Sequence, residues 1–316
     1  MAVIDWDGQQ VELASGESVL DGLLRIGAAV PHSCRAGVCQ SCLLRASSGK
    51  PTLASQVGLK AAWVEQSCFL ACVCHPTENL VVGLPGAGVR STARLLETRW
   101  LSPTVLRVLL EPDAPSAHRA GQYLTLFRED GLARSYSIAS LPSEGGLELH
   151  VRIVPNGQMS SWLAQSASPG IKVGLQGPAG NCFYTKGAID QPLLLAGTGT
   201  GLAPLYGILR DALEQGHQGP IWLYHGALNT QGLYLQDELE ALAAKHSNLQ
   251  YQPALLDTHG PITDVIFSAH PQLKGWRGYI CGDPAVVQQL KKRVFLAGMA
   301  SRDIHSDAFV YAPSSS

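Results

Sequence analysis

The chain has no basic surplus: 23 Lys and Arg stand against 25 Asp and Glu, for a formal net charge of −2. With no basic run either, it lacks the electrostatic footprint of a nucleic-acid binder. It has no apolar stretch of membrane-spanning length, which argues against a membrane span. A basic and then apolar leader is also missing. The opening MAVIDWDGQQ is acidic and polar, so the expected compartment is the cytoplasm, where structural disulfides are rare. No internal repeat occurs, no low-complexity segment beyond the short PSSS ending, and no histidine pair at metal-ligand spacing. Nor is there a Ser–His–Asp set that flanking motifs support. What is present is core material: 46% hydrophobic and 15% charged residues in 316, enough for two or three globular domains.

Cysteine is unevenly spread. Cys34, Cys39, Cys42, Cys68, Cys72 and Cys74 fall in the first quarter, and only Cys182 and Cys281 lie beyond. The stretch CRAGVCQSC has the spacing C-x4-C-x2-C, followed at a distance by Cys72 in FLACVCHP. That is the plant-type spacing for four thiolates holding a 2Fe-2S cluster. Zinc and other thiol chemistry are the competing readings. Zinc sites pair cysteines two to four apart at both ends, which would leave Cys34 idle and make Cys72-x-Cys74 tight. A redox CxxC would want a strand before it and a helix opening at it. Small residues in the loop (Ser33, Ala36, Gly37, Ser41) let backbone N–H groups approach sulfur, and Gly37 suits a positive φ. Cys68 and Cys74 read as small buried hydrophobes.

After the linker-like GLPGAGVRS come short alternating runs (TARLLETRWL, TVLRVLLEP, GQYLTLF, SYSIAS, LELHVRIV), the pattern of an antiparallel barrel. GPAGNCFY reads as a tight turn closing it. From about Ala188 the rhythm changes. LLLAG, IWLYHGA, YQPAL and GYICG read as buried parallel strands, with helices such as APLYGILRDALEQG and LQDELEALAAKH between them.

Three motifs carry chemistry. Arg134, Tyr136 and Ser137 in ARSYSIAS suit a flavin: a guanidinium for pyrophosphate, an aromatic ring for stacking and a hydroxyl for ring N5. An ordinary barrel strand with an exposed arginine is the plain alternative. GQMSSWL then places Gly157, Met159 and Ser160 where a helix opens with free N–H groups. LLLAGTGTGLAP runs a strand into Gly197, Thr198, Gly199, Thr200 and Gly201, a loop that brings pyrophosphate to backbone amides or simply turns tightly. Between His225 and Asp237 no Lys or Arg occurs, which favours NADH over NADPH. Cys281–Gly282 end a strand, with Asp283 and Pro284 starting the next helix.

Residues 1–84 resemble a plant-type ferredoxin domain, and GQYL, RSYS, GQMSSWL and GPAG in order resemble the flavin domain of the ferredoxin–NADP reductase superfamily. Together the modules resemble the FAD- and 2Fe-2S-containing reductase components of bacterial multicomponent oxygenases. The resemblance implies a multidomain α+β and α/β protein. Its parts are an N-terminal β-grasp 2Fe-2S ferredoxin domain (1–84), a linker (85–91), an antiparallel β-barrel FAD domain (92–187) and a parallel-sheet α/β NAD domain (188–316) ending in a flavin-covering tail. It favours Cys72 as fourth ligand beside Cys34, Cys39 and Cys42. It also implies pyrophosphate on Arg134, Gly157, Met159 and Ser160, and ring contacts from Tyr136, Ser137 and the backbone of His150, Val151 and Arg152. Cys281 and Gly282 would flank the nicotinamide, and Phe309 would shield the flavin. Electrons would run from NADH through FAD and the cluster to a terminal oxygenase or a separate ferredoxin. A partner in sugar deoxygenation, or a redox sensor with an inactive flavin module, are the alternatives. Arg35, beside the cluster, is expected to be a solvated loop residue.

Overall fold

The computed structural model describes residues 2–86 and 89–310. Residues 87 and 88 of the expected linker, and 311–316 of the expected tail, lie outside the described residues.

Three sheets follow one another along the chain. The first is built from β1 (Val3–Trp6), β2 (Gln9–Glu12), β3 (Leu43–Ser48), β4 (Cys68–Leu70) and β5 (Leu80–Gly83) in the order β2-β1-β5-β3-β4, with α1 (Val19–Arg25) and α2 (Ala61–Glu65) against it. Helix α1 begins where Ser18 caps it: the Ser18 hydroxyl accepts from the Asp21 N–H at 3.2 Å and donates to its carboxylate at 2.6 Å. The face Val19, Leu20, Leu23 is buried against Ile4, Leu43, Leu44 and Phe69. Cys68 and Cys74 belong to that same core, as small apolar side chains.

The second sheet comprises β6 (Arg90–Ser102), β7 (Val105–Pro112), β8 (Tyr123–Phe127), β9 (Ala133–Ser137), β10 (Leu147–Arg152) and, after α3 (Gln158–Gln165), β11 (Lys172–Ala179). The order β10-β7-β6-β11-β8-β9 is antiparallel throughout, and a bridge between Ile138 and Leu149 brings the two ends together. Alternation sets the faces. Leu147, Leu149 and Val151 enter the barrel core. Glu148, His150 and Arg152 consequently point the other way, toward the third domain. The GPA of GPAGNCFY, expected as a turn, instead completes β11, with a register shift between Gln176 and Ala179.

The third sheet holds β12 (Leu193–Thr198), β13 (Ile221–Ala227), β14 (Leu249–Leu255), β15 (Arg277–Gly282) and β16 (Ile304–Ala308), all parallel, in the order β14-β13-β12-β15-β16. Helices α4 (Leu202–Glu214) and α5 (Gln236–Lys245) cover one face; after the short α6 (Leu256–His259), α7 (Ile262–Ala269) and α8 (Pro284–Leu296) cover the other. From β12 the chain steps outward to β13 and β14 and then crosses back to β15 on the other side of β12, so the strand order reverses there and a crevice opens at the carboxyl ends of these strands. The segment read as the start of a covering tail is in part a strand: HSDA lies in β16, with Asp307 opposite Cys281 and Ala308 opposite Gly282. Among the described residues no helix is long and apolar enough to cross a membrane.

The barrel and the third domain meet on α4. A Cβ at Gly207 would sit 2.8 Å from the Ala139 carbonyl oxygen and 2.9 Å from the Ala120 Cβ. Arg210 donates to the same Ala139 oxygen at 2.7 Å. Alanine gains about 1 kcal/mol over glycine inside a helix, but overpacking a rigid contact costs about 1–3 kcal/mol. Gly207→Ala is therefore expected to lower the thermal midpoint of the barrel–α/β unit, read by calorimetry, although it improves helix propensity.

Candidate functional site

The four candidate ligands lie near one another at one end of the first domain, although among the described residues no three His, Cys, Asp or Glu side chains are arranged to hold a metal ion. Cys34, Cys39 and Cys42 are buried and Cys72 is half-buried. Their thiols pair two and two. The Cys34 thiol is drawn down to about 5, chiefly by its hydrogen bond with Cys39, which is pushed up in turn. The hydrogen bond between Cys42 and Cys72 likewise raises Cys42 and lowers Cys72. Each pair thus holds one readily ionised thiol and one that keeps its proton, whereas a 2Fe-2S cluster would take all four as thiolates. Backbone N–H groups of Ala36 and Cys39 point at the Cys34 sulfur, at 3.3 and 3.4 Å, and the Ser41 hydroxyl lies 3.1 Å from the Cys39 sulfur. Aiming the amides inward takes left-handed backbone at Gly37 (φ 72), as its composition suggests, and also at Arg35 (φ 53) and Gln40 (φ 60). A side chain at Gly37 would press on Val73 at 3.2 Å. Arg35 is exposed and pairs with Asp21 of α1 at 3.3 Å.

On β9, Arg134 and Tyr136 share one face, and Ser135 and Ser137 share the other. The side-chain hydrogen bond of Arg134 among the described residues goes to its neighbour's carbonyl, Ala133, at 2.7 Å, so its guanidinium retains donors for an anion. Tyr136 packs partly against the barrel core. Across the barrel, Gly157 is the N-cap of α3, and a Cβ there would fall 2.4 Å from the Ser160 hydroxyl. The first N–H groups of α3 have no acceptor within the helix. Met159 and Ser160 are buried, and the Ser160 hydroxyl is engaged with the Val154 N–H at 3.2 Å. An anion at this helix would thus meet backbone.

In the crevice the glycine loop and the β15 terminus interlock. A Cβ at Gly201 would lie 2.4 Å from the Cys281 carbonyl oxygen, and one at Gly282 (φ 119) would lie 2.6 Å from the Thr198 hydroxyl. That hydroxyl accepts from the Asp283 N–H at 3.1 Å. A Cβ at Gly197 would strike Leu205 at 2.7 Å, whereas Gly199 faces open space. Beside these residues is a cavity of about 480 Å³, lined by Thr198, Gly199, Thr200, Asn229, Asp283 and Phe309 among others. Its one lysine or arginine is Arg152, which enters from the barrel side with Thr104 and Val105. Phe309 is fixed at the rim by its N–H, which donates to the Gly282 carbonyl at 2.8 Å. Cys281 is 1% exposed, its sulfur lies 3.6 Å from that of Cys182, and burial pushes its thiol well up, so it is a neutral thiol.

Residues 4–77 match the 2Fe-2S iron-sulfur cluster binding domain, residues 93–184 the oxidoreductase FAD-binding domain and residues 195–292 the oxidoreductase NAD-binding domain. Over 313 residues the chain is 32% identical to the ferredoxin–NAD(P)+ reductase component of the naphthalene 1,2-dioxygenase system of Pseudomonas putida, covering 95% of each. It is 33% identical to the reductase subunit of an aromatic O-demethylase from Amycolatopsis, covering 96% of this chain and 97% of that one. The crystal structure of an Amycolatopsis cytochrome P450 reductase superposes with a TM-score of 0.67 at 30% identity, over 98% of this chain and 99% of the other. The chain belongs to the family of oxygenase reductase components.

The reductase is an oxidoreductase with 2Fe-2S, FAD and nicotinamide-dinucleotide domains, and its site contains residues that no motif announced. Asp307 accepts a hydrogen bond from the Ser137 hydroxyl at 3.0 Å and stands in register with Cys281. Burial pushes its carboxyl up to about 6, against the Ser137 hydrogen bond. His150 faces away from the barrel core, and its side chain joins a polar bridge between domains. Its Nε2–H donates to Glu148 at 2.9 Å, and its Nδ1 accepts from the Tyr234 hydroxyl at 3.2 Å. Burial keeps His150 neutral; burial alone would raise Glu148, but hydrogen bonds from His150 and Arg107 outweigh it and hold the carboxyl at about 2. Any flavin contact in this stretch therefore falls to the backbone or to Arg152.

The raised Asp307 carboxyl has a stability sign. The folded chain holds this proton up to about pH 6, the unfolded chain only to about pH 4, so stability is lost as pH rises through that window. Asp307→Asn is expected to be more stable than the parent by about 3 kcal/mol at about pH 8 and equal to it near pH 4. Urea unfolding at the two pH values measures the difference.

Proposed function

We propose that the reductase draws electrons from NADH and delivers them singly to an oxygenase, directly or through a separate ferredoxin. One observation carries this: the parts touch in series. The Cys39 carbonyl is bonded to Ser135 at 3.3 Å; two residues on, Ser137 is bonded to Asp307, and Asp307 is paired with Cys281 at the crevice. When bound, the flavin takes up an electron pair and lets it go one electron at a time, while the cluster carries single electrons.

The chain's own residues bind and orient. Arg134 and the N–H groups of Met159 and Ser160 in the first turn of α3 would take the flavin pyrophosphate, with Gly157 leaving room for it at the N-cap, and Tyr136 would pack on the ring system. Ser137, its hydroxyl directed by Asp307, would be the hydroxyl for ring N5, and Asp307 holds a proton beside Ser137 in mildly acidic solution. The loop Gly197–Gly201 takes the nicotinamide pyrophosphate; Cys281 and Gly282 shape the floor of the hydride site, where a neutral thiol packs without acting as a nucleophile. Phe309 closes the rim. The proteins of similar sequence serve aromatic dioxygenase, demethylase and phenol 2-monooxygenase systems, and an oxygenase of this kind is the partner inferred here.

The NADH preference rests on the cavity wall. Its lining includes Leu228, Asn229, Gln231 and Gly232, with side-chain amides for ribose hydroxyls, and its single cation is Arg152, from the barrel. Burying the dianion of a 2′-phosphate without a counter-charge is costly. Under anaerobic conditions NADH is expected to bleach both the flavin and the cluster absorption, with kcat/KM at least about tenfold above that for NADPH. Gln231→Arg is expected to narrow the ratio. Equal use of both nucleotides, or a spectrum that ignores both, would sink this reading.

A further inference from the structure

The cluster loop does not end at its own domain. Three successive carbonyls of CRAGVCQSC are taken by barrel side chains. The Tyr123 hydroxyl donates to Val38 at 2.7 Å, the Thr125 hydroxyl to Cys39 at 2.8 Å, and the Gln176 amide to Gln40 at 2.7 Å. Ser135 adds a second donor to Cys39 at 3.3 Å. Thr125 and Gln176 are 1% and 3% exposed, so these bonds are made out of water. The donors come from β8, β9 and β11, which are neighbours in the barrel sheet.

The same hairpin serves the flavin. Register places Tyr123 opposite Ser137 and Thr125 opposite Ser135, so all four share one face of β8–β9. The hydroxyls that hold a cluster ligand and the hydroxyl assigned to ring N5 are therefore one side-chain step apart, about 7 Å along the strand. Arg35, Ala36 and Val38 remain exposed on the outer rim of the loop.

We propose that Thr125 and Gln176 are positioning residues for the passage of electrons from flavin to cluster. They fix the Cys39 carbonyl segment against the flavin-bearing hairpin, so that the ferredoxin domain stays docked through turnover and gives electrons away from its outer rim. The inference goes beyond the function proposed above and rests on flavin and cluster both being bound.

The test is the double variant Thr125→Val/Gln176→Leu, with Thr125→Ser as the conservative control, all in the full chain. Three readouts separate positioning from general damage. Ferricyanide reduction by NADH, which draws on the flavin directly, should stay within about twofold of the parent. Reduction of the cluster after mixing with NADH, followed by stopped-flow absorbance, should slow by at least about tenfold in the double variant and recover in Thr125→Ser, as expected when reacting centres are misplaced. Hydrogen exchange of amides 36–42 should rise in the double variant alone. Unchanged cluster reduction, or equal loss of both electron routes, would overturn the proposal. A parent protein whose flavin is reduced by NADH while its cluster is not would overturn the proposed function itself, and this inference with it.

Discussion

Much of this molecule follows from the demand that sulfur makes on a peptide loop. To stabilise thiolates and their metal, the backbone between Cys34 and Cys42 turns amides toward sulfur, as at Ala36 and Cys39. The Cys39 N–H that turns to sulfur sends the Val38 carbonyl the other way, and the carbonyls of Val38, Cys39 and Gln40 all meet the barrel. A buried carbonyl without a donor costs about 1–3 kcal/mol. The barrel provides donors at Tyr123, Thr125, Ser135 and Gln176, and the same strands that complete the loop's hydrogen bonding carry the flavin motif. Left-handed backbone at Arg35, Gly37 and Gln40 is the local expense of that geometry.

The other end of the site is made by close approach. Gly201 lies against the Cys281 carbonyl and Gly282 against Thr198, so the carboxyl ends of β12 and β15 are packed without any intervening Cβ. That closeness sets Cys281 and Thr198 side by side on a rigid floor while leaving Gly199 open to the cavity. Site precision of this kind comes from adjacent strand ends, which move less than free loops.

What the sequence disclosed, and what it hid, follows the range of the interactions. The cysteine spacing is local chemistry in nine residues, and the barrel and parallel strands announce themselves by alternation or by continuous apolar runs. Even the orientation of His150 was legible: in LELHVR it falls on the face opposite Leu147, Leu149 and Val151. That this face meets Tyr234 and not solvent depends on a domain packed by Gly207 and Arg210, and no window of β10 contains that information. Asp307 was hidden for a different reason. Every residue of β16 is half-buried, so the strand shows no alternation and reads as a polar tail. Its value arises from a partner on β15 and from Ser137, 170 residues earlier.

That separation has a consequence for the order in which the molecule becomes active during synthesis. The cluster loop and the flavin hairpin emerge early, and both can reach their folded form while the chain is still on the ribosome. The strand carrying Asp307, and the Phe309 amide that closes on Gly282, emerge only after the rest of the α/β sheet. A nascent chain can therefore fold its cluster loop and flavin hairpin before the strand that completes the crevice has been made.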